Sequence, residues 1–128
     1  MDRIDIPIEV PAVPYKELSN QKAAESSEAI RQRVVAAREA QLQRFHEEHI
    51  YTNAQMGPRQ IQKYCELTAD CERIMENAVS KLGFSARGYD RILKVARTIA
   101  DIEKAPSLTA GHLSEAVQYR TLDRNLWV

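Results

Sequence analysis

Ser85-Ala86-Arg87-Gly88-Tyr89-Asp90-Arg91-Ile92-Leu93-Lys94-Val95-Ala96-Arg97-Thr98-Ile99-Ala100-Asp101-Ile102 is the most strongly patterned stretch of the chain. Tyr89, Ile92, Leu93, Ala96, Ile99 and Ala100 recur at spacings of three and four, which places them on one face of an α-helix. Ser85 stands where a hydroxyl can accept from the unbonded N–H groups of the first turn, and Pro106 stops the pattern. The stretch predicts a helix with one buried face.

Outward from it, the same grammar repeats. Upstream, Cys71, Ile74, Met75, Ala78 and Leu82 form a second helical face, with Thr68 as N-cap, Asp70 at the positive end of the dipole and Gly83 as a left-handed stop. Gly57-Pro58 opens a short helix through Ile61, Tyr64 and Cys65. From about Ser26 to Glu48 there is neither Gly nor Pro, and Ile30, Val34, Ala37, Leu42 and Phe45 make a loose stripe. Arg31, Arg33, Arg38 and Arg44 occupy its other faces. Downstream, Thr109 caps a last helix that buries Leu113, Ala116 and Val117 and leaves a tail from Leu122 to Val128. At the other end, Ile4, Ile6, Ile8 and Val10 alternate with Asp5, Pro7 and Glu9, as in a strand with one buried face. Pro7 cannot donate to a ladder, so the strand is an edge or only partly paired. The stretch Val10-Pro11-Ala12-Val13-Pro14-Tyr15 reads as an extended connector. One strand has no sheet to complete, which implies a chain that begins within a larger domain.

Composition narrows the function classes. At 128 residues there is room for one domain with a modest core. Lys plus Arg equals Asp plus Glu at 18 each, so no global field draws nucleic acid or an anionic membrane. No apolar run approaches the ~20 residues of a membrane span, and no signal-peptide core follows Met1, so a cytoplasmic protein is expected. Cys65 and Cys71 are not in a CxxC pair and read as reduced thiols in or near the core.

Three motifs fail on their chemistry. Gly83-Phe84-Ser85-Ala86-Arg87-Gly88 has the glycine spacing of a phosphate loop, but Tyr89 and Asp90 stand in place of the required Lys and Ser/Thr. Without them Mg-ATP cannot be held in that manner. His46-Glu47-Glu48-His49 lacks the HExxH spacing and a third ligand, so no metal site is expected. The three histidines support no Ser-His-Asp or Cys-His arrangement.

SARGYDRILKVARTIADI, residues 85–102, followed by HLSEAVQYRTLDR, residues 112–124, resembles the C-terminal domain of the magnesium-chelatase-like AAA+ ATPases. DRIDIPIEVPAVPY (2–15), IRQRVVAAREAQLQRF (30–45) and YTNAQM (51–56) are similar to the same family in the same order. The ARTIAD and YRTLDR stretches resemble its ComM branch more closely than the chelatase proper. The implied fold is mainly α: an AAA+ C-terminal helical lid bundle, with an N-terminal strand and long helix left over from the AAA+ core. Residues 1–50 would then join core to lid, and 51–128 would form the lid.

The resemblance also implies roles. Arg3 in Asp-Arg-Ile-Asp matches an arginine finger directed at a neighbouring subunit's ATP; its guanidinium fork suits developing phosphoryl charge. Read from the residues alone, Arg3 is solvated or paired with Asp2 or Asp5. Arg87 matches the lid's sensor arginine, which reaches the terminal phosphate, and Arg91 follows one turn later as a second nucleotide contact. A cation in the first turn is locally unfavourable for an isolated helix, a sign that something else selects Arg87. The plain reading of Arg87, Arg91 and Lys94 is a solvated basic face. The chain itself carries no cofactor on this view, ATP and Mg belonging to the parent. Partners are its own AAA+ core and neighbouring subunits of a homo-oligomeric, hexameric ring, with DNA reached through the parent and no membrane. Three alternatives stand beside it: a helical module docking a partner on the Leu113 and Val117 helix, a chelatase subunit acting on a porphyrin, and a direct DNA binder using Arg31, Arg33, Arg38, Arg91 and Lys94.

Overall fold

The computed structural model describes residues 6–7 and 25–126. Within them run α1 (Ser27–Arg44), a 3-10 turn (Asn53–Gln55), α2 (Pro58–Tyr64), α3 (Ala69–Leu82), α4 (Ala86–Ile102) and α5 (Ala110–Leu126), with no strand among the described residues. The expected strand over residues 4–10 lies outside them, except for Ile6 and Pro7, which carry no regular secondary structure.

Side-chain chemistry at the helix ends accounts for these boundaries. Ser26, Thr68 and Ser85 each accept from the N–H three residues on, at 3.1, 3.3 and 3.1 Å, satisfying donors that the first turn leaves unbonded. Pro58 occupies the start of α2. Gly83 ends α3 at φ 63°, ψ 42°, a conformation that costs glycine no Cβ clash. Thr109 and His112 cap α5 reciprocally: His112 N–H approaches Thr109 Oγ1 at 3.5 Å, and Thr109 N–H donates to His112 Nδ1 at 3.0 Å. A histidine here fills the place that Glu or Gln takes in a capping box.

Helix α4 is the centre of the bundle, packed by α1, the 3-10 turn, α2 and most extensively α5, which also covers α3. Ile92, Ala96, Ala100 and Leu113 are fully buried, and Phe45, Met56, Met75 and Leu108 complete the core around them. Leu113 is fully buried, and Val117 is half-buried against the same core beside Ile74 and Ala78 of α3. Cys65 and Cys71 are buried free thiols, and burial pushes Cys65 up to about 11.

Two segments differ from their sequence pattern. Helix α1 ends at Arg44, and of its apolar stripe only Ala37 and the following Phe45 are buried. Ile30, Val34 and Leu42 stay 43–49% exposed: the first two precede Ala37, where burial begins, and Leu42 stands one place past Gln41, which takes the inward position. At the other end α5 continues through Leu122 to Leu126 instead of giving way to a tail.

What joins α1 to α4 is polar. Asp101 accepts two hydrogen bonds from the Arg44 guanidinium, at 2.9 and 2.6 Å, one from Asn53 Nδ2 at 2.9 Å, and pairs with Arg97 at 3.1 Å. Gln41 Oε1 accepts from Asn53 N–H at 2.9 Å, and Asn53 also donates to Thr98. Arg97 closes the far side by donating to the carbonyls of Ala105 and Pro106. Burial alone would raise the Asp101 carboxyl, but hydrogen bonds from Arg44 and Asn53, with the Arg44 and Arg97 charges, hold it below the usual carboxylate range. A buried carboxylate so surrounded has its lone pairs met and its charge offset.

Candidate phosphate-facing groove

Arg87 sits in the first turn of α4, two residues past the Ser85 cap, and is exposed. Two properties of the helix dictate that position: Tyr89, Ile92 and Leu93 turn inward, and the opposite face is left to Arg87, Asp90, Arg91 and Lys94. The N-terminus of α4 adds unbonded backbone N–H groups and the positive end of the dipole nearby. Anions are favoured at such an end.

A groove of about 930 Å³ runs along this face. Arg87, Asp90, Arg91 and Lys94 line it from α4, Glu115 and Tyr119 from α5, and Ala54 from the 3-10 turn. Val95, Ile99 and Ile102 give it an aliphatic side. Lys94 Nζ donates to the Ala54 carbonyl at 3.0 Å, so it fastens the turn to α4. Tyr119 donates to Glu115; burial and the Glu115 charge raise its phenol. Cations, a carboxylate pair and aliphatic surface thus share one concavity.

Arg87 and Arg91 are therefore brought together on one groove. Arg3 lies outside the described residues. The basic residues weighed for direct DNA contact are divided: Arg31, Arg33 and Arg38 are exposed on α1, where Arg33 pairs with Glu25, while Arg91 and Lys94 belong to the groove. Gly88, in the rejected phosphate-loop pattern, is buried, and a Cβ there would meet Phe84 and Ser85 at 3.5 Å. It is a packing residue. His46 and His49 lie in the turn after α1, and no cluster of three or more metal-ligating residues occurs among the described residues.

The Asp101 network is what reading the residues missed. Arg97 and Asp101, four apart on a helix, have the spacing of an ordinary surface ion pair, and nothing local reveals that Arg44 and Asn53 close over them. The one available signal was that QRF, YTNAQM and ARTIAD, the stretches that carry the family resemblance, each supply a member.

Residues 24–120 match the family described as Magnesium chelatase, subunit ChlI C-terminal. The uncharacterized protein YifB of Salmonella typhimurium is 45% identical over 127 residues, 98% of this chain and 24% of that protein. Competence protein ComM of Haemophilus influenzae is 39% identical over the same shares. The uncharacterized protein Rv2897c of Mycobacterium tuberculosis is 28% identical over 94% of this chain and 24% of its own length. The chain thus spans about a quarter of the length of the curated relatives it matches. No helix among the described residues is long and apolar enough to cross a membrane.

Proposed function

Because this chain belongs to the magnesium chelatase C-terminal family, we propose that it is the lid of a cytoplasmic, ring-forming, Mg-ATP-dependent AAA+ motor. Arg87 reaches the terminal phosphate of ATP bound by the core, and Arg91 supports it from one turn further along. Arg3 is proposed as the finger directed at the neighbouring subunit's nucleotide. Residues 1–50 join core to lid in this reading.

The observation that carries it is the position of Arg87. It stands exposed at the open end of α4, beside a helix N-terminus suited to anions, whereas Arg44 and Arg97 are bound into the Asp101 network. A guanidinium so placed meets phosphoryl oxygens without any core residue moving, and acts where transition-state charge develops. The 39% identity to a protein named competence protein ComM supports a DNA branch-migration or competence-related parent over a porphyrin chelatase. Division of the basic residues between α1 and the groove disfavours direct DNA binding by this chain.

Phosphate release with Mg-ATP tests the reading in two proteins: the 128-residue chain and the longer protein that contains it. The longer protein is expected to turn over and the chain alone to stay at background. Turnover by the chain that survives repurification, or a longer protein without ATPase activity, would sink the lid assignment.

A further inference from the structure

Helix α1 is held to the bundle by little apolar surface of its own. Of its residues only Ala37 and Gln41 are buried, a methyl and an amide. The large anchor, Phe45, lies just past its C-terminal end, edge-on to Tyr64 with ring centroids 5.3 Å apart. One apolar anchor at the end of a rod holds its position and leaves its direction free, because the hydrophobic contribution has no preferred direction. Hydrogen bonds from a planar guanidinium fork do have one. Arg44 supplies the fork: Nη1 donates to Asp101 Oδ2 and Asn53 Oδ1 at 2.9 and 3.0 Å, and Nη2 donates to Asp101 Oδ1 at 2.6 Å. Asp101 and Thr98 belong to α4, and Asn53 Nδ2 donates to both. The direction of α1 against α4 is thus set by bonds whose geometry is fixed.

The joint lies at the C-terminal end of α4 and Arg87 at the opposite end, about 21 Å away at 1.5 Å per residue. Over that lever arm a tilt of roughly 3° moves Arg87 by about 1 Å. Misplacement by about 1 Å is enough to cost roughly a hundredfold in rate.

We propose that Arg44, Asn53 and Asp101 are positioning residues, which fix the angle between α1 and α4 and through it the place of Arg87 at the nucleotide. The angle rests on the geometry of this chain alone. Its use in catalysis rests on the reading of α1 as the join to the core and of Arg87 as the phosphate contact.

Arg44→Lys keeps a positive charge beside Asp101 and removes the fork. In the 128-residue chain, backbone N–H residual dipolar couplings of all the helices should fit one common alignment in the wild type. In Arg44→Lys those of α1 should leave that fit while α3, α4 and α5 keep it. If α3 and α5 leave it too, Asn53→Ala, which removes the side-chain link among Arg44, Thr98 and Asp101, is read by the same criteria. In the longer protein, at saturating Mg-ATP and well below its melting temperature, Arg44→Lys should lower turnover roughly tenfold to a hundredfold. It should lower it no further in a protein already carrying Arg87→Ala. Unchanged turnover, or a loss of the same size in the Arg87→Ala background, would overturn the positioning role. Couplings of α1 that stay in the common fit would overturn the fixed angle itself. Should Arg87→Ala leave turnover unchanged, the lid assignment fails, and the couplings still decide whether these residues fix the angle.

Discussion

Replacing Asp101 with Asn keeps the shape of the side chain and removes its charge, which isolates what the buried network contributes. The Asp101 side chain is 2% exposed and Arg97 4%, while Arg44 retains 15%. Asn can accept at one oxygen only, so the bidentate bond from Arg44 is lost, and two guanidinium groups keep their charge with no carboxylate between them. Breaking one partner out of a buried ion pair costs about 3–5 kcal/mol. Residual hydration of Arg44 places Asp101→Asn near the lower end, about 3 kcal/mol, which for a domain of this size lowers Tm by roughly 10–15 °C. The assay is thermal and urea unfolding followed by circular dichroism between pH 7 and pH 3. Because the folded carboxyl lies below its unfolded value, the unfolded chain binds the extra proton. The contribution is therefore full above the unfolded pKa, near 4, and disappears as pH falls through the folded pKa. The wild type should lose stability across that acid window, and Asp101→Asn should lose less. A variant within about 0.5 kcal/mol of wild type at pH 7, the usual range for a surface change, would refute the claim that this network joins α1 to α4.

Other outcomes follow from single positions. Lys104 holds φ 60° just past the end of α4, a conformation that penalises a Cβ, so Lys104→Gly should stabilise by about 1 kcal/mol in urea melts. Gly88→Ala should be neutral or stabilising by up to about 1 kcal/mol, since the added methyl meets only ordinary contacts and Ala is the better helix former; marked loss of stability would show that Gly88 fits more tightly than its neighbours imply. Ser85→Ala removes the α4 cap and should cost about 1 kcal/mol. Cys65, with its thiol pushed up to about 11, should react with a thiol reagent at neutral pH only as fast as the domain opens; rapid labelling of the native chain would contradict its burial.

The helix pattern around Ser85 was legible because its determinants are local. Thr68, Ser85 and Thr109 cap where a hydroxyl precedes an apolar stripe, Pro58 opens a helix and Gly83 closes one. Helix α1 misled for a physical reason: Ile30 and Val34 keep helical spacing but precede Ala37, where burial starts, and Leu42 falls one place past Gln41, which takes the inward position. Spacing reports a face without reporting what covers it. The polar joint was illegible because its members stand far apart in sequence, Arg44 with Asp101 and Asn53 with Thr98, and each looks like surface when read alone. Of the site, the shared face of Arg87 and Arg91 could be read from their i, i+4 spacing. The groove could not, since Ala54, Tyr119 and Ile6 reach it only through the tertiary fold.

The central claim, that Arg87 acts on nucleotide and not on the fold, is tested most directly by one substitution read in two proteins. Arg87→Ala in this chain should change stability by less than about 0.5 kcal/mol, as for an exposed residue replaced by a better helix former. In the longer protein at saturating Mg-ATP, the same change should lower turnover by about a thousandfold, the scale of arginines that meet a transferring phosphoryl group. Unchanged turnover would make Arg87 a solvated residue, and unfolding of the isolated chain would make it structural; either result contradicts the account.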